Sequence, residues 1–247
     1  MSSNQFIGSL PYISLNKMWQ SLFALNLGNY NFTGSIPISI GSLVALSYLH
    51  LHNNKFSGKI PLSLKICEQL VTIDIAKNKF VGSIPSWMEY NLSKLVILNL
   101  HSNNFHGYIP KELCLLTSLQ ILDLSKQSLG YNSIPFESEL LVIKGKVLEY
   151  FTTLQMVKII NFSKNNLSKE IPREVTSLTG LQSLNLSFNI LTGRIPENIG
   201  DMRSLESIDF SVNQLSGQVP KSMSSLTFLS HLNLSNNNLT GRIPLST

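Results

Sequence analysis

The sequence repeats one pattern about every 24 residues, and this repetition restricts the chain to folds that stack similar units. Residues 181–196 read LQSLNLSFNILTGRIP, which corresponds to L-x-x-L-x-L-x-x-N-x-L-x-G-x-I-P. The asparagine position is filled, in chain order, by Asn4, Tyr30, Asn54, Asn78, Asn103, Gln127, Asn165, Asn189, Asn213 and Asn237. Successive positions are 24 to 26 residues apart except for one step of 38, so about 14 extra residues follow Gln127.

Each unit begins with an alternating L-x-L segment, which predicts a short strand with its leucines on one face. A single unit cannot bury these leucines, so neighbouring units are expected to stack and their strands to form one parallel sheet. The pattern therefore predicts an α/β solenoid. We expect one repeat block at 1–127, an irregular insertion at 128–156 and a second block at 157–247.

Two further positions of the repeat indicate what holds each turn together. An asparagine side chain can donate to and accept from backbone groups inside the coil, where water cannot reach. The glycine four residues later, present in eight of ten units, indicates a backbone conformation or close approach that a side chain would hinder. Tyr30 replaces the asparagine in one unit and Lys169 replaces the glycine in another, so we expect local distortion at both.

Charge and cysteine content exclude several classes of protein. Charged residues make up 13% of the chain, and the net charge of +5 is scattered, which does not predict a nucleic-acid-binding surface. The sequence shows neither a long apolar membrane segment nor a signal peptide. Cys67 and Cys114 are too few and too far apart to predict a disulfide scaffold or a zinc site, so we expect buried thiols, with their redox state left open.

The outward-facing strand positions are the candidate ligand-binding residues. They include Tyr48, His50, His52, Asp74, Lys77, His101, Lys126, Lys164 and Phe188. Adjacent strands lie about 4.8 Å apart, so His50 is expected beside Asp74. His50 and His52 share a strand face, but the sequence shows only two metal ligands there, so it predicts no metal site and no cofactor. The alternative to ligand contact is an idle solvated surface.

The sequence does not predict an enzyme. Asparagine and aspartate recur at the third position of the strands, which resembles an array of carboxylates but is repeat consensus. The sequence contains no nucleophile motif and no phosphate-binding loop. Seven N-x-S/T sequons occur, of which Asn31, Asn91, Asn166 and Asn238 lie outside the predicted strands and are the better candidates for glycosylation.

The extended repeat and the irregular segment resemble a known family. The repeat continues as Ile40-Gly41-Ser42-Leu43 and Ile199-Gly200, and in this form it resembles the plant-specific leucine-rich repeat over nearly the whole chain. The segment Leu141–Lys146, followed by Glu149, Tyr150 and Leu154, is similar to the island of plant leucine-rich-repeat receptor-like proteins. It is most similar to the group that contains the fungal-xylanase receptors and apple scab resistance proteins.

The resemblance implies a right-handed superhelix with a parallel sheet on its concave face and one island insertion. It implies a non-catalytic ectodomain module at the extracellular face of the plasma membrane, in immune or developmental signalling. Such a module binds a protein or peptide ligand, with island candidates Lys144, Lys146, Glu149 and Tyr150. The last repeats would bind a co-receptor kinase through Arg203, Ser207, Asp209, Gln214, His231 and Asn233.

The chain departs from the family pattern in ways that leave alternatives open. The cysteine-bearing caps of the family are missing at both ends, as are its transmembrane helix and cytoplasmic tail, which indicates the C-terminal part of an ectodomain. A secreted inhibitor of microbial cell-wall-degrading enzymes is a second hypothesis, against which the island argues. A truncated receptor fragment without a ligand is a third.

Overall fold

A computed structural model describes residues 7–10, 17–116, 118–125 and 158–242. Its strands are numbered β1 to β18 in chain order, and nine of them form one continuous parallel sheet. These are β2 (Ala24–Asn26), β4 (Tyr48–His50), β6 (Thr72–Asp74), β8 (Ile97–Asn99), β10 (Ile121–Asp123), β11 (Ile159–Asn161), β13 (Ser183–Asn185), β15 (Ser207–Asp209) and β17 (His231–Asn233). The predicted solenoid of stacked parallel strands is confirmed.

The alternation within each strand places its middle residue in the core. Leu49, Ile73 and Leu98 occupy this position in three successive strands and are fully buried. They belong to one apolar cluster that runs through the whole stack, because each unit covers the leucines of the unit before it. The first and third residues of each strand point away from this cluster. We call the surface that they form, together with the turns that directly follow these strands, the outer face of the nine-stranded sheet.

The structure adds a second row of strands, which the sequence analysis did not predict. Seven of these form one sheet: β1 (Ile7–Ser9), β3 (Asn31–Gly34), β5 (Lys55–Gly58), β7 (Lys79–Gly82), β9 (Asn104–Gly107), β12 (Asn166–Glu170) and β14 (Ile190–Thr192). The remaining two, β16 (Ser216–Gln218) and β18 (Asn238–Thr240), pair with each other. Each unit therefore forms backbone hydrogen bonds with its neighbours along two edges.

Short helical turns complete each coil on the side away from the nine-stranded sheet. The α-helical turns are α1 (Lys17–Gln20) and α2 (Met88–Asn91). Turns of 3-10 helix occur at Ile38–Ser42, Leu62–Ile66, Lys111–Leu115, Arg173–Ser177, Ile199–Asp201 and Lys221–Ser225. Most of these turns directly follow the repeat proline, whose fixed φ and missing N–H suit the start of a helical turn.

A ladder of asparagines joins the units, as the sequence predicted. Asn78 is buried and donates to the carbonyl oxygen of Leu51 at 2.9 Å, and its own side-chain oxygen accepts from the backbone N–H of Phe56 at 2.9 Å. Equivalent contacts recur at Asn54, Asn103, Asn189, Asn213 and Asn237. The asparagine therefore satisfies backbone groups that the coil has removed from water.

The two repeat blocks stack directly on each other. β10 pairs in parallel with β11, and β9 pairs with β12, although residues 126–157 separate them in sequence. Asn165 donates to the carbonyl of Leu124 at 2.6 Å, so the asparagine ladder also crosses this junction. The predicted island, 128–156, lies outside the described residues.

The repeat glycines adopt left-handed backbone conformations, as expected. All eight of them have φ between 75° and 102°. Lys169, at the glycine position of its unit, adopts a φ of 68°, so a lysine here follows the same backbone path. The strand pairing also continues regularly beside Tyr30 and Lys169, and the distortion expected at these two positions does not extend to the register of the sheets.

Candidate functional site

In all but one of the nine strands, the third residue has a side chain that closes the following turn. Eight of the nine strands have asparagine or aspartate there, and one side-chain oxygen accepts from the backbone N–H two residues later at 2.9 to 3.4 Å. These residues are Asn26, Asp74, Asn99, Asp123, Asn161, Asn185, Asp209 and Asn233. These eight residues therefore have a structural role. Among the described strands, only β4 has a different residue at the third position, His50.

His50, His52 and Asp74 come together at the N-terminal part of the outer face. His50 and Asp74 are register partners in β4 and β6, which confirms that they lie side by side. The Asp74 Oδ2 atom lies 3.1 Å from His52 Nδ1 and 3.8 Å from His50 Nδ1. The other Asp74 oxygen accepts the turn-closing bond from Ala76, so Oδ2 is directed at the two imidazoles.

The electrostatics of this cluster favour an ionised carboxylate. Burial by itself raises the pKa of Asp74, but the interactions with His50 and His52 outweigh burial and hold the pKa at about 2. Further along the sheet, burial lowers the pKa of His101, which follows β8, and raises the pKa of Asp123 in β10. The cluster thus combines one negative charge with nearby imidazoles in a poorly solvated part of the face.

The glycine beneath His52 was not recognised from the sequence. A Cβ atom on Gly28 would overlap the imidazole ring of His52, so the ring is seated directly on the glycine backbone. The equivalent residues of the other described units are Ala76, His101, Ser125, Ser163, Ser187, Ser211 and Ser235. Small residues at this position are visible in the sequence, but only the stacking of units shows which one faces His52.

The other predicted residues of this region have different environments. Tyr48 is buried, and its ring packs edge-to-face on Phe23 with centroids 5.1 Å apart, which leaves little of it for a ligand. Lys77 is exposed and lies in a left-handed turn with a φ of 52°. His101 is half-buried, with its Nδ1 atom 3.0 Å from Ser102 Oγ.

A second pair lies on the C-terminal half of the same face. The Lys164 ammonium lies 5.8 Å from the centre of the Phe188 ring, a cation–π geometry, and Phe188 is 49% exposed. Both residues adopt positive φ, at the turn just before the repeat asparagine. Lys126 and the island candidates Lys144, Lys146, Glu149 and Tyr150 lie outside the described residues.

Four of the six co-receptor candidates form a compact block. Ser207 pairs with His231 and Asp209 with Asn233 in the register of β15 and β17. We call these four residues the co-receptor block. Arg203 is exposed in the turn before β15, whereas Gln214 is exposed beside the second row of strands, so these two lie outside the block.

The sequons and cysteines have clear positions. Asn31, Asn166 and Asn238 are exposed at the starts of second-row strands, and Asn91 is half-buried at the end of α2. The three strand sequons, Asn161, Asn185 and Asn233, use their side chains to close turns.

Cys67 and Cys114 are free and buried, as expected. In the part of the chain with described structure, no helix is long and apolar enough to cross a membrane.

Comparison with known proteins identifies the repeat. Profiles described as leucine rich repeat match residues 68–129 and 179–239, and a second such profile matches residues 45–67. Together they cover more than half of the chain. No curated protein sequence matches the chain significantly.

Several solved plant receptor structures superpose on nearly the whole chain. The Arabidopsis receptor kinase HAESA, solved with the peptide hormone IDA and the co-receptor SERK1, is 31% identical over 99% of this chain, with a TM-score of 0.71. A TDR receptor is 28% identical over 99% of this chain, with a TM-score of 0.70. The plant peptide hormone receptor RGFR1 in complex with RGF2 is also 28% identical over 99% of this chain, with a TM-score of 0.67. The chain covers 38%, 39% and 40% of the HAESA, TDR and RGFR1 chains, respectively. On its profile matches and its solenoid of stacked parallel strands, the chain belongs to the leucine-rich-repeat proteins.

Proposed function

We propose that the chain is a non-catalytic recognition module from the extracellular part of a plant cell-surface receptor-like protein. The observation that supports this most directly is the unbroken nine-stranded sheet, whose backbone is uniform while the exposed side chains of its outer face change from unit to unit. A surface of this kind presents many different side chains along one direction, which suits an extended protein or peptide ligand.

The structural neighbours support the same role. HAESA was solved in complex with the peptide hormone IDA and the co-receptor SERK1, and RGFR1 in complex with RGF2. We extend this arrangement to the present chain. The outer face would hold the ligand with His50, His52, Asp74, Lys77, His101, Lys164 and Phe188, and the co-receptor block would contact a co-receptor kinase ectodomain. The narrower assignment to the xylanase-receptor and apple scab resistance group rests on sequence resemblance alone, in the island and in short shared segments such as Ser86-Trp87-Met88 and Glu112-Leu113-Cys114.

A matched pair of serine substitutions tests the co-receptor surface. Binding of the SERK1 ectodomain to the immobilised chain is measured by surface plasmon resonance, with the peptides IDA and RGF2 added in turn. Ser207→Arg places a long cation in the co-receptor block and should weaken binding at least tenfold. Ser224→Arg places the same side chain at an exposed site in the 3-10 turn Lys221–Ser225 and should leave binding unchanged.

Equal effects of the two substitutions would remove the co-receptor assignment. Stoichiometric inhibition of a microbial polygalacturonase by the same protein would instead favour the secreted inhibitor. Both assays use one preparation of the whole chain, so their outcomes are directly comparable.

Extracellular location also implies glycans on the sequons outside the nine-stranded sheet. We propose Asn31, Asn91, Asn166 and Asn238 as the modified residues, because their side chains are not used to close strand turns. Mass spectrometry of the protein expressed in plant cells should find glycans at these positions. Glycans on Asn161 or Asn185 instead would contradict the proposed ligand face, because they would cover it.

A further inference from the structure

The cluster of His50, His52 and Asp74 has the composition and spacing of a metal site. One nitrogen from each imidazole and one carboxylate oxygen lie within 4.8 Å of one another. Four-coordinate Zn²⁺ binds nitrogen and oxygen at about 2.0–2.2 Å, which places tetrahedral ligand atoms about 3.3 Å apart. The Asp74 Oδ2 distances of 3.1 Å to His52 Nδ1 and 3.8 Å to His50 Nδ1 lie on either side of that spacing. Small side-chain rotations would therefore suffice.

An unpartnered nitrogen within the cluster points to a missing ligand. His50 Nε2 is buried and has no hydrogen-bond partner among the described residues, whereas the buried His52 Nδ1 faces Asp74 Oδ2. The exposed fractions of the side chains of His50, His52 and Asp74 are only 11%, 14% and 8%. Buried polar atoms normally have partners, so a buried histidine with an unpartnered nitrogen in this cluster requires an explanation. A cation bound by the cluster would supply it.

The repeat shows that both histidines are departures with a structural cost. His50 occupies the one third-position site among the described strands that lacks a turn-closing asparagine or aspartate. His52 occupies a position where most units have a small residue, and its ring fits there because Gly28 has no side chain. Neither residue is needed to build the solenoid. Their convergence on Asp74 is therefore a property of this face and not of the repeat.

The surroundings of His52 can support metal binding. Its Nε2 atom lies 3.1 Å from the Asn29 side-chain amide, and Asn53 donates to the Asn29 oxygen at 3.0 Å. Amide oxygen and nitrogen exchange places on a half-turn of the side chain. With both amides turned, His52 Nε2–H donates to Asn29 and leaves Nδ1 free for a metal. Such an outer contact normally fixes the orientation of a metal-bound imidazole.

The ligand set selects the kind of metal. Two imidazoles and one carboxylate suit zinc and similar transition-metal ions, whereas calcium and magnesium prefer all-oxygen sites. Three protein ligands leave one position open for water or for a group from a bound partner. The geometry points to a site for one Zn²⁺ ion on the outer face, held by His50, His52 and Asp74. This inference is independent of the proposed receptor role.

Calorimetric titration of the whole chain with ZnCl₂ tests the site directly. The protein is first treated with a chelator, and one Zn²⁺ per chain should bind. Asp74→Asn and His52→Ala should each weaken binding more than about 100-fold, since removing a ligand costs more than the 10- to 100-fold of an outer contact. Gly28→Ala, which displaces the His52 ring without removing a ligand, should weaken it about 10-fold. MgCl₂ should give no comparable heat.

His106→Ala is the matched control, because it removes an exposed imidazole from β9 in the second row of strands. It should bind Zn²⁺ like the unaltered chain. Co²⁺ provides a second readout: the unaltered chain should show the visible absorption of a four-coordinate nitrogen–oxygen site, and Asp74→Asn should lose it while keeping its circular dichroism spectrum. Failure of the unaltered chain to bind Zn²⁺, or equal losses in His52→Ala and His106→Ala, would overturn the inference.

Discussion

The side-chain oxygen of Asn78 accepts a hydrogen bond from the backbone N–H of Phe56 at 2.9 Å, although the two residues belong to different repeats. The amide nitrogen of Asn78 donates to carbonyls of its own unit, at Ile75 and Ala76, and to Leu51 in the preceding unit. One side chain thus closes its own turn and attaches it to the previous one. The solenoid is therefore held together by buried polar contacts as well as by leucines.

Loss of this contact should destabilise the stack. Asn78→Ala leaves buried backbone groups without a partner, and we expect the free energy of unfolding to fall by about 1–3 kcal/mol. Asn104→Ala, at an exposed site at the start of β9, is the control and should change it by less than about 0.5 kcal/mol. Urea unfolding followed by circular dichroism measures both. Similar losses in the two variants would contradict the role of the ladder.

Val212 adopts a φ of 54°, a left-handed conformation that is unfavourable for a β-branched residue. Asn236 adopts the same φ at the equivalent position of the next unit. We expect Val212→Asn to raise the free energy of unfolding by about 1 kcal/mol and Asn236→Val to lower it by a similar amount. Thermal melts of both variants check the pair. Changes of the same sign would show that backbone strain is not the cause.

Gly200 marks a close approach between adjacent units. A Cβ atom there would overlap the backbone carbonyl oxygen of Ser222, so Gly200→Ala should lower the free energy of unfolding by about 2 kcal/mol or more. At Gly180 the nearest atom to a Cβ is the flexible Lys158 ammonium, at 3.3 Å. Gly180→Ala should therefore be nearly neutral. A neutral Gly200→Ala in chemical denaturation would mean that the two units separate readily.

The low pKa of Asp74 makes stability depend on acidity. Interactions with His50 and His52 hold this pKa at about 2, below the ordinary 3.8. The ionised Asp74 carboxylate therefore stabilises the fold above pH 4, and this stabilisation is lost as the pH falls through 2. The free energy of unfolding of the unaltered chain should exceed that of Asp74→Asn by about 2 kcal/mol more at pH 5 than at pH 2. Asp201→Asn, at an exposed site, should show no such difference. Urea unfolding at the two pH values measures both variants.

The thiols should be inert in the folded protein. Burial raises the pKa of Cys67 to about 11, and burial together with Glu174 and Glu112 raises that of Cys114 to about 12. Since the thiolate is the reactive form, neither cysteine should react with Ellman's reagent at pH 8 until guanidinium unfolds the chain. Two thiols should then react. Rapid reaction of Cys67 in the native protein would contradict its burial.

The repeat spacing predicted the stacked strands and the asparagine ladder, because each follows from local pattern and from the need to bury one apolar face. It also predicted that the repeat glycines have a structural role, and the structure shows that this role is a left-handed backbone conformation. It also predicted that His50 lies beside Asp74, since equal repeat lengths fix the register of neighbouring strands. The second row of strands was not predicted. Its residues carry no leucine alternation and are defined by backbone hydrogen bonds between units.

The sequence by itself determined the architecture of this protein, because a periodic pattern leaves only one way to bury every leucine. Tertiary structure decided which side chains meet on the surface. His52 follows β4 in a turn, and its approach to Asp74 depends on the space above Gly28 in the preceding unit. Strand alternation fixes the face of a residue, but a distance of 3.1 Å between two side chains depends on rotamers and on neighbours from three different coils.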